Sequence, residues 1–319
     1  MMMNEEITLL TNRIIDDPSD TIPNDLLREL TDRLAESEVY VPVEDDMIAL
    51  YSWGPRTYIP ISCDLDDFKK AFKDETPVLF EFKKLEDFLT REVSGFMINP
   101  GGRNFPLNKY LSQLAFNKNR PRLEVTRGYD VKVRLNDFRP LTWRDLIIPD
   151  NITFMELDDI LKTLWGFNGH HLSCFLLRKT NETIIDDDLA DETMMGMDYN
   201  ANTTIISEIF DQYDKITYWY DFGDDWRFDI EIKKKIDYDK DYVTIKRFKG
   251  KYDPIEDCKG VYGLSEIVYC AENPDEADYS DFEHLVEYLE EFDMEFAQML
   301  LERKAYVKSE WHRDVFFKE

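Results

Sequence analysis

The stretch from Ile216 to Ile236 constrains the fold of this chain more than any other. Ile216, Tyr218, Tyr220 and Phe222 share one parity, and Trp226, Phe228, Ile230 and Ile232 continue it beyond Gly223-Asp224-Asp225. A period of two sends successive side chains to opposite faces of a strand, so each run offers one apolar face. The glycine and aspartates between them suit a tight connection, and an antiparallel pair follows. Tyr242 to Phe248 is expected to add a third strand.

A sheet with one apolar face needs a cover, and two segments have helical spacing. Thr153 and Glu156 stand at capping-box distance, ahead of Phe154, Leu157, Ile160, Leu161, Leu164 and Trp165 on one predicted face. Asp158, Asp159 and Lys162 are expected to face water. Near the C-terminus Ser280 and Glu283 repeat the capping spacing, and Phe282, Leu285, Val286, Leu289, Phe292, Phe296, Met299 and Leu300 predict one helix. Further strands are expected from Leu123 to Leu135, Leu141 to Ile148 and Leu172 to Arg178, with an acidic loop around Asp186, Asp187 and Asp188.

The first third reads as a separate module. Ile7, Leu9, Leu10 and Ile14, then Leu26, Leu27, Leu30 and Leu34, have helical spacing. Strands are expected at Val39 to Val43, Met47 to Trp53, Thr57 to Cys63 and Val78 to Phe82, with Asp64 capping a helix from Leu65 to Phe72. A helix around Leu85 to Thr90, a short strand ending in the Asn99-Pro-Gly-Gly turn, and a helix from Leu107 to Phe116 complete it. The basic, turn-favouring Lys118-Asn-Arg-Pro-Arg marks the boundary. The expected organisation is α+β, with domains at 1–117 and 118–319 and a largely antiparallel or mixed sheet with flanking helices in each; 319 residues exceed what one core commonly serves.

Composition narrows function. A formal charge of −28 and a pI near 4.5 oppose binding of nucleic acid through a phosphate-neutralising surface. The partner implied is another protein, one with a basic surface, and neither nucleic acid nor membrane. Surplus carboxylates gathered on one face would alternatively mimic nucleic acid. Cys63, Cys174, Cys258 and Cys270 follow no metal or disulfide spacing and read as reduced, buried thiols. The opening Met-Met-Met-Asn-Glu-Glu lacks a basic stretch before an apolar run, so a cytoplasmic location is expected.

Two resemblances follow from motifs. The Tyr218-Trp-Tyr-Asp-Phe-Gly-Asp-Asp-Trp run resembles the signature of the plasmid pRiA4b ORF-3-like family, which includes the TnpR-type passenger proteins of insertion elements. The segments starting at Leu135-Asn-Asp-Phe-Arg-Pro, Trp165-Gly-Phe-Asn-Gly-His-His and Asp253-Pro-Ile-Glu-Asp-Cys-Lys-Gly resemble its other motifs in the same order, over residues 122 to 304. The leucine-rich opening, Val39-Tyr-Val-Pro-Val, Tyr58-Ile-Pro-Ile-Ser-Cys and Gly95-Phe-Met-Ile-Asn-Pro-Gly-Gly resemble the SseB N-terminal domain, over residues 1 to 116. The first resemblance implies an α+β fold. It also implies histidine in relatives where this chain has Asp158, Ser173 and Phe228. A phenylalanine can neither ligate a cation nor carry a proton, so a site built on those imidazoles would be degraded here.

Candidate ligand-binding residues are Tyr218, Tyr220, Asp221, Asp224, Asp225, Trp226, Glu256, Asp257 and His171. The carboxylates among them could gather a hard cation, or simply cap turns through nearby backbone N–H groups. His170 and His171 point to opposite sides of a strand and read as satisfied histidines, and the tryptophans as core anchors. Cys258, next to the carboxylates of Glu256 and Asp257, should have a raised pKa. No cofactor, metal or catalytic residue is assigned. A non-catalytic interaction or regulatory protein is the expectation, with a metal-assisted hydrolase using Asp221 to Asp225 and Glu256 to Asp257 as the alternative.

Overall fold

The computed structural model describes residues 3–18, 22–45, 47–90, 92–186, 197–277 and 281–307. They divide into two compact units, one reaching Pro121 and including Arg303–Ala305, the other running from Arg122 to Glu302 and including Tyr306 and Val307. Both are α+β.

In the first unit the helices Met3–Asp16 and Asn24–Leu34 bury Ile7, Leu10, Leu26, Leu27, Leu30 and Leu34, while Leu9 stays half exposed. Strands β1 (Glu38–Glu44), β2 (Met47–Ile48), β3 (Tyr51–Trp53), β4 (Arg56–Ile61), β5 (Thr76–Glu81), β6 (Gly95–Ile98) and β7 (Phe105–Asn108) form two sheets, ordered β2-β1-β5 and β3-β4-β6-β7. The single strand expected over Met47 to Trp53 is thus broken across both. Asp64 caps the Leu65–Ala71 helix by accepting from Asp67 N, as its sequence position predicted. Two helix boundaries move: a 3-10 helix takes Phe82–Phe88, and the last helix starts at Lys109 because Asn108 accepts from Leu111 N at 2.7 Å. At the Asn99 turn (φ 51°), the side chain accepts from Cys63 N at 2.8 Å and donates to Thr8 Oγ1. A Cβ on Gly101 would lie 2.1 Å from Asp67 O, so the turn has room only for glycine.

The second unit is built on eight strands: β8 (Arg127–Leu135), β9 (Trp143–Pro149), β10 (Ser173–Leu177), β11 (Glu182–Ile185), β12 (Tyr199–Asn200), β13 (Lys215–Tyr220), β14 (Trp226–Asp237) and β15 (Thr244–Lys249). Their order is β12-β11-β10-β13-β14-β8-β9-β15, antiparallel except between β11 and β12. The hairpin read from alternation is present, with Tyr218 opposite Phe228 and Tyr220 opposite Trp226. Phe222 leaves that face. Asp221 has φ 52°, which turns the chain, and Phe222 packs 4.4 Å from the Trp219 ring on the other side. β15 is not the hairpin's neighbour but pairs with β9 at the far edge.

Other expectations shift for local reasons. Leu123 is exposed and the strand begins only at Arg127, while the start of the expected acidic loop is strand β11; Asp187 and Asp188 lie outside the described residues. The expected C-terminal helix is interrupted: a 3-10 turn at Glu283–Tyr288 and the helix Met294–Glu302 flank an extended stretch, where Glu291 bridges Tyr252 and Phe292 N donates to Lys251 O. Ser280 lies outside the described residues.

One core face of the sheet packs against the helices Phe154–Leu164, Ile206–Phe210, Gly260–Glu272 and Met294–Glu302. Thr153 and Glu156 form the capping box that their spacing predicts. The water-facing side expected for this helix is wrong at two positions: Asp158 and Lys162 are each 3% exposed. Lys162 Nζ sits 2.5 Å from Asp158 Oδ2, and the Tyr218 hydroxyl donates to Asp158 Oδ1 at 2.7 Å. The i, i+4 spacing expected to mark a solvated stripe instead gives the buried carboxylate its counterion. All four cysteines are free and buried.

Candidate cation site

The site grows out of the end of β13. Asp221 N donates to Leu172 O at 2.9 Å, which seats the residues entering β10 beside the hairpin turn and brings His171 next to Asp221. Asp221 is 6% exposed, and its Oδ1 accepts from Gly223 N at 3.0 Å and Asp224 N at 3.2 Å. Those bonds hold the carboxylate so that Oδ2 faces His171 Nδ1 at 3.5 Å. On the other side of the ring, His171 Nε2 lies 3.5 Å from Asp257 Oδ1. The histidine expected to be satisfied is therefore clasped between two carboxylates. One ligand atom from each of His171, Asp221 and Asp257 lies within 4.8 Å of the others.

Asp257 comes from the loop before the Gly260–Glu272 helix, and that loop is pinned in several places. Asp257, Lys259 and Gly260 all have positive φ. A Cβ on Gly260 would stand 2.0 Å from Asp224 O, so only glycine lets this loop close on the hairpin turn. Glu256 Oε1 accepts from Asn168 N at 3.0 Å and from the Tyr220 hydroxyl. Further back, Arg144 donates to Asp253 Oδ1 at 2.9 Å and to Lys249 O at 3.1 Å. Its guanidinium stacks 3.7 Å from the Phe292 centroid and 4.5 Å from that of Trp165. Burial pushes the Asp253 carboxyl up to about 7, against the pull of Arg144.

The nine candidates separate by place. His171, Asp221 and Asp257 come together, with Tyr220, Glu256 and Asp224 beside them. Glu256 Oε2 and Asp224 Oδ2 are buried and meet no hydrogen-bond donor among the described residues. Asp225 turns outward to Arg227 Nε at 2.8 Å. Tyr218 and Trp226 are wholly buried core residues. Burial and the neighbouring Asp224 push the Cys258 thiol up to about 12, so no thiolate is available near neutral pH. Sequence reasoning missed Arg144 and Asp253, although the arginine alternates with Leu146 and Ile148 on the apolar parity of β9, the one signal that it points inward.

Fold and site define a class: an antiparallel sheet covered on one face by helices, with a carboxylate-flanked histidine where the signature hairpin meets a glycine-closed loop. The chain belongs to the plasmid pRiA4b ORF-3-like protein family, whose sequence profile matches residues 127–299. It is similar to the uncharacterized protein y4hQ of Sinorhizobium fredii (strain NBRC 101917 / NGR234), 25% identical over 145 residues, which are 45% of this chain and 73% of that protein. A solved structure of a protein of unknown function, MM3350 from Methanosarcina mazei Go1, has a TM-score of 0.43 and 22% identity, covering 53% of this chain and 92% of its own. No helix among the described residues is long and apolar enough to cross a membrane.

Proposed function

We propose that this is an interaction or regulatory protein whose second unit holds a divalent transition cation on His171, Asp221 and Asp257. The observation that carries the reading is the convergence of one imidazole and two carboxylates within 4.8 Å. Metal–ligand bonds of about 2.0–2.2 Å hold tetrahedral donor atoms about 3.4 Å apart, so the carboxylates must close on one nitrogen of the ring by about an ångström. Asp257, whose side chain is 80% exposed, can supply that movement. A mixed nitrogen and oxygen set favours Zn²⁺, Mn²⁺ or Fe²⁺ over the all-oxygen Ca²⁺ and Mg²⁺ sites that the aspartates alone suggested. Three protein ligands leave positions open for a group from a partner.

Titration calorimetry of the full chain with Zn²⁺ and Mn²⁺ tests this. One ion per chain is expected, weakened at least tenfold in His171→Ala and in Asp257→Asn. Absence of binding at millimolar metal would overturn it.

A second reading, metal-assisted hydrolysis, draws on Glu256 Oε2, a buried carboxylate oxygen of the residue preceding Asp257 that meets no donor among the described residues. Such an oxygen could take a proton from an attacking water. It requires Mn²⁺-dependent cleavage of a generic phosphodiester such as bis(p-nitrophenyl) phosphate, lost in Glu256→Gln. For the first unit we retain the SseB-like reading and a boundary near residue 118, supported by the order of buried strands leading into the Asn99 turn.

A further inference from the structure

The other face of the eight-stranded sheet carries an unrelated feature. β8 sends Tyr129, Val131 and Val133 into the core and leaves Asp130, Lys132 and Arg134 outside; β14 does the same with Arg227, Asp229, Glu231 and Lys233. Lys215, Arg178, Lys246 and Arg247 extend the row.

Three buried aspartates organise it. Asp229 contacts Arg134 at 3.0 Å, Arg178 at 3.9 Å and Lys215. Asp145 contacts Lys132 at 3.9 Å, Lys233 at 2.8 Å and Arg247 at 2.7 Å. Asp130 contacts Lys246 at 2.7 Å and Lys233 at 3.7 Å. The eight cations of this row, set against these three carboxylates, Glu231 and the Asp225 that pairs with Arg227, leave a surplus of three positive charges, in a chain of net charge −28. The charge is segregated, and the aspartates fix the cations in place before any partner arrives. The cations remain in reach of solvent, from 24% exposure at Lys132 to 67% at Arg247.

We infer that this face docks an extended acidic segment of a partner protein. Charge complementarity selects an anion. The tryptophans then select its kind. Lys132 lies 4.3 Å from the Trp143 centroid and Arg227 lies 4.2 Å from that of Trp219, so each ring is already engaged by a cation of this chain instead of standing open to a base. The acidity of the rest of the chain also opposes the dense charge of a nucleic acid more than the sparse carboxylates of a peptide. From β10 to β15 the row crosses six strands. At a spacing of about 4.8 Å that is roughly 24 Å, the span of about seven extended residues.

Fluorescence anisotropy with a labelled deca-glutamate peptide and a labelled twelve-nucleotide oligothymidylate, each against the full chain, tests the inference. Peptide binding is expected at 20 mM salt, weakening steeply by 300 mM. It should fall at least tenfold in Lys132→Glu/Arg247→Glu and also in the milder Arg178→Gln/Lys246→Gln. Lys83→Glu/Lys84→Glu, which alters net charge equally in the first unit, and His171→Ala should leave it unchanged, which separates this surface from the cation site. No peptide binding at 20 mM salt, equal loss in the Lys83/Lys84 variant, or tighter binding of the oligonucleotide would overturn it.

Discussion

The two faces of the second unit's sheet handle charge in opposite ways. On the helix-covered face, Asp158 has a lysine and a tyrosine hydroxyl, and Arg144 has one carboxylate and two aromatic walls. Burial and the adjacent Asp158 carry the Tyr218 hydroxyl pKa well above its ordinary value, so that proton stays in the Tyr218–Asp158 bond. On the other face each aspartate is shared among two or three cations that also reach water. A charge paired singly in a dry core has no substitute when its partner is removed, whereas a shared and wetted charge has several.

The comparison breaks most visibly at Lys162. Lys162→Met leaves Asp158 buried without its counterion and is expected to destabilise the protein by about 3–5 kcal/mol. Chemical denaturation measures it, and Asp158→Asn/Lys162→Met should recover most of the loss, because both charges are gone while the amide oxygen can still accept from the Tyr218 hydroxyl. Next comes Gly260→Ala, which forces a Cβ against Asp224 O at a φ of +64°. Strain of that kind costs about 1–3 kcal/mol. The same variant should weaken cation binding, because the loop carrying Asp257 must withdraw from the hairpin turn.

These residues also mark where the sequence was legible. Alternation revealed the hairpin, and capping spacing placed the start of the Phe154–Leu164 helix, since both depend on neighbours along the chain. Asp158 and Lys162 misled because a polar i, i+4 pair looks alike on a wet helix face and in a core that holds a tyrosine hydroxyl across from it. Arg144 required knowing that Asp253, over a hundred residues away, would fold back onto it. The motif residues Asp221, Glu256 and Asp257 were identified, but their union with His171 depends on the Asp221–Leu172 backbone bond, which pairs two strands remote in sequence.

The two faces should also respond to pH with opposite sign. Asp253, on the core side, has its folded pKa raised to about 7. Its stabilising effect is complete below the unfolded value near 3.9 and fades as pH rises through about 7. Asp253→Asn should therefore flatten the loss of melting temperature between pH 4 and 7. Burial works to raise Asp145 and Asp229 as well, but hydrogen bonds from Lys233 and Arg247, and from Lys215, Asn136 and Arg134, outweigh it and hold both carboxyls below the ordinary range. Their contribution is complete above the unfolded value and disappears as pH falls through the folded one. Melting curves below pH 4 should show it.

The smallest effect should come from Arg247→Ala. Asp145 is buried, so a one-to-one pairing would make this loss as severe as that at Lys162. Lys233 at 2.8 Å and Lys132 at 3.9 Å remain, however, and the Arg247 side chain is largely in water. The expected cost is about 0.2–1 kcal/mol. It should also shrink at high salt, since screening reaches this face and not the Asp158 pair. A loss approaching that of Lys162→Met would show that Asp145 is held by one cation alone, and the contrast between the faces would fail at that point.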